Sequence, residues 1–120
     1  MKMLVDIILL MTVSLHCYFL WLEMIAWESV GPKVFRGFSK EFFKSTKTLA
    51  ANQGLYNGFL AAGLTWSLFI EDPVWQDHVA LFFLSCVAVA GIYGGLTAGK
   101  KIFFVQGLPA IMGIVFLLLG

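Results

Sequence analysis

Long apolar runs with short polar interruptions divide the chain into four segments that predict helices, about 4–27, 49–70, 75–96 and 102–119. Each approaches the ~20 residues that carry a helix across a bilayer. The stretch between the first two runs differs in kind. From Gly31 to Thr48 the basic residues Lys33, Arg36, Lys40, Lys44 and Lys47 recur three and four apart, while Phe35, Phe38 and Phe42 keep the helical period on another side. That pattern predicts an amphipathic helix in the membrane interface, its phenylalanines toward the headgroups and its lysines toward water and anionic lipid. The expected architecture is all-α: a polytopic four-helix transmembrane bundle, one domain over 1–120, with an interfacial helix between spans one and two.

Composition agrees with the pattern. Hydrophobic residues make up 60% of the chain and charged ones only 12%, bunched rather than scattered, which excludes an ordinary soluble domain. The first run, Leu4 to Trp27, lacks a small-residue cleavage site and ends on a tryptophan, so it is expected to remain as a span. Lys and Arg number five in the first connection and two in the third (Lys100, Lys101), against Lys2 alone on the other side. The positive-inside rule then places both basic connections in the cytoplasm and both termini outside. Trp27, Trp66 and Trp75, near span ends, suit interfacial belts. A net charge of +1 gives no reason to expect a nucleic-acid partner; membrane lipid is the expected environment. Cys17 and Cys86 fall inside apolar runs and read as small buried hydrophobes rather than a disulfide pair.

One block breaks the apolar rule. Asn52-Gln53-Gly54-Leu55-Tyr56-Asn57 opens the second span with amides and a phenol, which hydrocarbon does not tolerate unpaired. At 100° per residue Asn52, Gln53, Tyr56 and Asn57 share an arc of about 140°. Gly54, Gly58 and Ala62 form a small-residue packing stripe on another face, with Gly91 and Gly95 of the third span as a matching seam. Asn52 to Asn57 lie roughly 5–12 Å from the cytoplasmic end of their span, and Glu23 about 6 Å from that end of the first. Tyr93 and Gln106 add polar groups at the same end of the third and fourth spans. Together these residues predict a polar, ligand-binding cavity open to the cytoplasm, against the alternative of a purely structural hydrogen-bond network.

Glu23, the costliest residue to leave unpaired in a membrane, is the candidate acid or base. His16, on the same helical face about 10 Å away, is a weaker candidate and is more simply read as bonded to a neighbouring helix. No metal site is expected: no second histidine stands three or four residues from His16, and His78 belongs to the opposite membrane face. No nucleotide loop, nucleophile elbow or cofactor motif is present, so the cofactor is unknown and enzymatic activity stays open. Pro109, after Gln106 and Gly107, is expected to kink the fourth span.

The stretch His16-Cys17-Tyr18 through Glu23-Met24 and Trp27, the block NQGLYNGFLAAGL, and the segments AGIYGGLTAGKK and VQGLPA closely resemble the domain-of-unknown-function family 1304 over nearly the whole chain. These are small bacterial integral membrane proteins, so the resemblance implies a multi-pass protein of the bacterial inner membrane and brings no established activity. The positions it carries are His16, Glu23, Trp27, Asn52, Gln53, Gly54, Tyr56, Asn57, Gly91, Gly94, Gln106 and Pro109. A fainter resemblance, at residues 56–63 and in architecture, is to membrane-associated eicosanoid and glutathione metabolism proteins. It implies outside termini and a homo-oligomer. The arginine and glutamate residues that grip glutathione there are missing here.

Three functional readings follow. The first is binding of, or action on, a small lipophilic molecule in the cytoplasm-facing polar cavity. The second is a structural or accessory subunit whose polar groups only bond helices together. The third is an oligomeric small-solute transporter, for which only Asp6 and His16 could serve as stepping stones in the outer half.

Overall fold

A computed structural model describes residues 1–120, and its regular structure is entirely helical. The long helices are α1 (Lys2–Met24), α4 (Lys47–Phe69) and α5 (Pro73–Thr97), with the short α2 (Gly31–Val34) and α3 (Lys40–Ser45) between the first two. A final helix starts as α6 (Lys100–Ile102), widens into a π-helical segment at Phe103–Gly107, and continues as α7 (Leu108–Leu119). Helices thus run through each of the four apolar segments. Three helices are long and apolar enough to cross a membrane: Lys2–Met24, Pro73–Thr97 and Lys100–Leu119. The Lys47–Phe69 helix has the length, but its amides and hydroxyls dilute its apolar character.

The chain's contacts gather into two compact units, 1–14 with 60–120, and 15–59. In the first, Val5 and Leu9 of α1, Leu64 of α4, Ala80, Leu84, Val87 and Ala88 of α5, and Ala110 of α7 form the core. Small residues let its helices meet closely. A Cβ on Gly91 would collide with the backbone of Gly107, and one on Gly95 would lie 2.7 Å from Phe103 Cβ. The glycine seam of α5 therefore seats the π segment rather than the Gly54 stripe. Pro109 explains the widening: it lacks an N–H, and its ring crowds the carbonyl one turn earlier. The helix relaxes by bonding Leu108 N–H back five residues to the Phe103 carbonyl. At its other end α5 begins with Pro73 in the first turn, and Asp72 caps it by accepting from Val74 N–H at 2.9 Å and Trp75 N–H at 3.1 Å.

The second unit is built on an aromatic cluster. Phe43 is fully buried, and Trp27 packs against Phe35, Phe42 and Phe43 while its indole N–H donates to Thr46 Oγ1 at 3.0 Å. Gly31 supplies the space: a Cβ there would come 2.9 Å from the Phe43 ring. The single helix expected over Gly31 to Thr48 is instead two short ones. Gly37 between them takes φ +96°, a left-handed conformation that ends a right-handed helix, and Ser39 restarts one by capping Phe42 N–H. Trp27 thus anchors this part of the fold.

Burial runs opposite to that of a soluble domain. Thr12, His16, Asn57 and Ser67 are buried, whereas Leu10, Met11, Phe59, Phe69, Phe82 and Leu96 are exposed. An apolar exterior around polar interior groups is what a hydrocarbon solvent selects. Cys17, expected to be buried, belongs to that exposed surface, and Cys86 is half-buried; both are free thiols.

Candidate functional site

In the 15–59 unit, the last turns of α1 meet the first turns of α4. The contact depends on Gly54. A Cβ there would fall 2.7 Å from Met24 Cγ, 3.0 Å from Glu23 Cβ and 3.2 Å from the Leu20 carbonyl oxygen. Gly58 similarly accepts Leu20, whose Cδ1 would stand 2.5 Å from an added Cβ. Bare backbone at these positions brings the helices close enough for side chains to bond across the gap.

Asn57 makes that bond. Its Nδ2 donates to Glu23 Oε1 at 2.6 Å, linking residues 34 apart in sequence. Asn57 is only 8% exposed and Glu23 is half-buried. The amide N–H and the carboxyl oxygen are at the short end of hydrogen-bond distances, a direct tie between the two helices. Glu23 Oε2 carries no bond within the protein and retains capacity for a proton or a donor.

The other members of the expected arc face elsewhere. The buried stripe of α4 is Ala50, Gly54, Asn57, Ala61, Leu64 and Ser67, a row that advances by steps of three or four residues. Asn57 falls on it. Asn52, Gln53 and Tyr56 flank it and are exposed, and so does Ala62, because a strict step of four drifts off the inward face. Gly63 is the close-packing residue there, against the Phe83 ring. Asn52 Nδ2 is held by the Thr48 carbonyl one turn earlier, at 3.0 Å. Tyr56 is 61% exposed, its ring edge-on to Phe59 at 5.8 Å between centroids.

The structure brings Glu23 together with Asn57 in one hydrogen bond, of which His16, Tyr93 and Gln106 are not members. His16 is fully buried, its ring edge-on to Phe19 at 5.6 Å. Tyr93 and Gln106 belong to the unit of 1–14 and 60–120, the first largely exposed on α5 and the second half-buried in the π segment. The basic residues Lys33, Arg36, Lys40, Lys44 and Lys47 are all exposed, and Lys47 Nζ pairs with Glu28 Oε1 at 3.2 Å. No three His, Cys, Asp or Glu side chains converge where they could hold a metal ion.

Sequence reasoning missed Phe43, Gly31 and Gly63. The signal for the first two was present: an adjacent pair of phenylalanines in a six-residue helix must put one ring inward, and a glycine next to a proline beyond Trp27 leaves room for it.

Fold and site together define a small all-helical protein with helices apolar enough to cross a membrane and a part-buried carboxyl–amide bond between α1 and α4. The model of the family described as "Protein of unknown function (DUF1304)" matches residues 10–118, and the chain belongs to that family. It is 34% identical to the "Uncharacterized protein YpaA" of Lactococcus lactis subsp. lactis (strain IL1403) over 112 residues, 91% of this chain and 92% of the relative. No solved structure matches it.

Proposed function

We propose that the protein is a four-span protein of the bacterial inner membrane that binds a small lipophilic molecule at its cytoplasmic side, through Glu23 and the polar face of α4. One observation carries this reading: Asn52, Gln53 and Tyr56 are exposed in the first turns of α4, beside the row that holds Asn57 and its bond to Glu23. Hydrocarbon chains cannot satisfy such groups, whereas the polar end of a ligand can. Asn52, Gln53, Tyr56 and Asn57 orient that end, and Glu23 accepts its proton or donor. In this reading α4 is the second span, tolerated despite its amides because they are covered by ligand or by a second copy in a homo-oligomer. The exposed Lys33, Arg36, Lys40, Lys44 and Lys47 hold the connecting segment on the anionic inner leaflet, with both termini outside.

A structural role is the second reading, favoured by the part-buried, 2.6 Å bond of Asn57 to Glu23, which ties α1 to α4 without a ligand. The two part in a binding experiment. Native mass spectrometry of the purified protein is expected to show a bound small lipophilic molecule that is lost or reduced in Glu23→Gln and Asn57→Ala. Folded variants that retain it unchanged would refute the binding role.

A further inference from the structure

In the unit of 1–14 and 60–120, the start of α1, the α4–α5 turn, the start of α5 and the end of α7 line a half-open cavity of about 400 Å³. That volume is within the ~300–1,000 Å³ typical of small-molecule sites. Its floor is apolar and well buried: Val5, Leu9 and Ala80 are exposed by 6%, 1% and 1%, beside Phe116 and Leu117. Its mouth is polar, with Lys2, Asp6, Glu71, Gln76 and Asp77.

Acidic groups outnumber basic ones at the mouth: the terminal ammonium of Met1 and the terminal carboxylate of Gly120 offset each other, and Asp6, Glu71 and Asp77 stand against Lys2. Lys2 is the one basic side chain there, and its ammonium is already engaged, donating to Asp6 Oδ1 at 3.2 Å, Asp6 Oδ2 at 3.3 Å and Gln76 Oε1 at 3.2 Å. An ammonium has three N–H donors, so Lys2 has none left over. Glu71 and Asp77 stand at the same mouth and form no ion pair. An apolar floor under an uncompensated pair of carboxylates is complementary to a molecule with a compact apolar body and a positive head.

We propose that this cavity is a binding site for a small organic ammonium cation, its apolar part on Val5, Leu9 and Ala80 and its charge between Asp77 and Glu71. The site lies in the other unit from the Glu23–Asn57 bond and does not depend on it. It also places a use on the end of the chain that the sequence reads as facing outside, where a lipophilic cation arriving from water first meets the protein.

The test uses the full chain in dodecyl maltoside micelles, which carry no ammonium group, titrated calorimetrically with benzyltrimethylammonium. Tetramethylammonium, which lacks the apolar body, and benzylphosphonate, which reverses the charge, serve as controls. Saturable binding of benzyltrimethylammonium alone is expected. Its affinity should fall about tenfold or more in the double variant Glu71→Gln, Asp77→Asn, whose exposed side chains are not needed for folding. Ala80→Leu, which fills the floor, should remove binding with helical content unchanged. Absence of saturable binding, equal binding of benzylphosphonate, or an unaltered affinity in the double variant would overturn the assignment. If Ala80→Leu does not fold, the double variant decides alone.

Discussion

Asn57 is buried because of its place in the 50, 54, 57, 61, 64, 67 row, and the bond to Glu23 is the consequence of putting an amide there. Removing it leaves a half-buried carboxyl with no partner, so Asn57→Ala is expected to lower unfolding free energy by about 1–3 kcal/mol. Glu23→Gln keeps an acceptor for the same N–H and should cost less than ~1 kcal/mol, the usual scale of interhelical hydrogen bonds in membranes. Reversible unfolding in mixed micelles measures both; equal losses would mean the charge itself holds the helices. That Glu23 needs a polar partner, and that the amide block could supply one, was legible in the sequence. Which amide meets Glu23 was not, because a helical wheel gives faces but not the neighbour each face finds. The wheel grouped Asn52, Gln53, Tyr56 and Asn57 together, yet the inward row passes through only the last.

The helices themselves were readable, since twenty-residue apolar runs with Asp-Pro or Gly-Lys punctuation leave few alternatives. The details set by close contact were hidden. Pro109 announced a disturbance in the last helix, but the π segment and the seating of Gly107 on Gly91 arise only when two backbones meet. Substitutions there separate backbone from side-chain contacts. Gly91→Ala must push against the Gly107 backbone, which cannot turn aside, and is expected to cost ~1–3 kcal/mol or prevent folding. Gly99→Ala, with nothing within 4 Å of its Cβ, should change stability by less than ~0.5 kcal/mol. Asp72→Ala removes the cap that bonds Val74 and Trp75 and should cost about 1 kcal/mol. Thermal unfolding of the three variants ranks them; a Gly99 variant as unstable as the Gly91 variant would contradict the seam. Gly37 is a parallel case in the connecting segment: its φ of +96° divides a helix that charge and phenylalanine spacing made continuous.

At the scale of the molecule, exposed apolar residues outside and Thr12, His16, Asn57 and Ser67 inside describe a protein built for a hydrocarbon solvent. The proposed orientation is checkable with Cys17 and Cys86 replaced by serine and single cysteines introduced at Lys40 or Asp77. An impermeant maleimide added to intact cells should label position 77 and reach position 40 only after lysis; the reverse order would invert the topology. The proposed function turns on what covers the outward face of α4. A photocrosslinking amino acid in place of Tyr56, activated in living cells and followed by intact-mass analysis of the purified chain, reads that directly. The expected product is a single adduct with the mass of one small lipophilic molecule, diminished when Glu23→Gln is introduced alongside. Adducts of bulk phospholipid or of a second copy alone, unaffected by Glu23→Gln, would contradict ligand binding at this site.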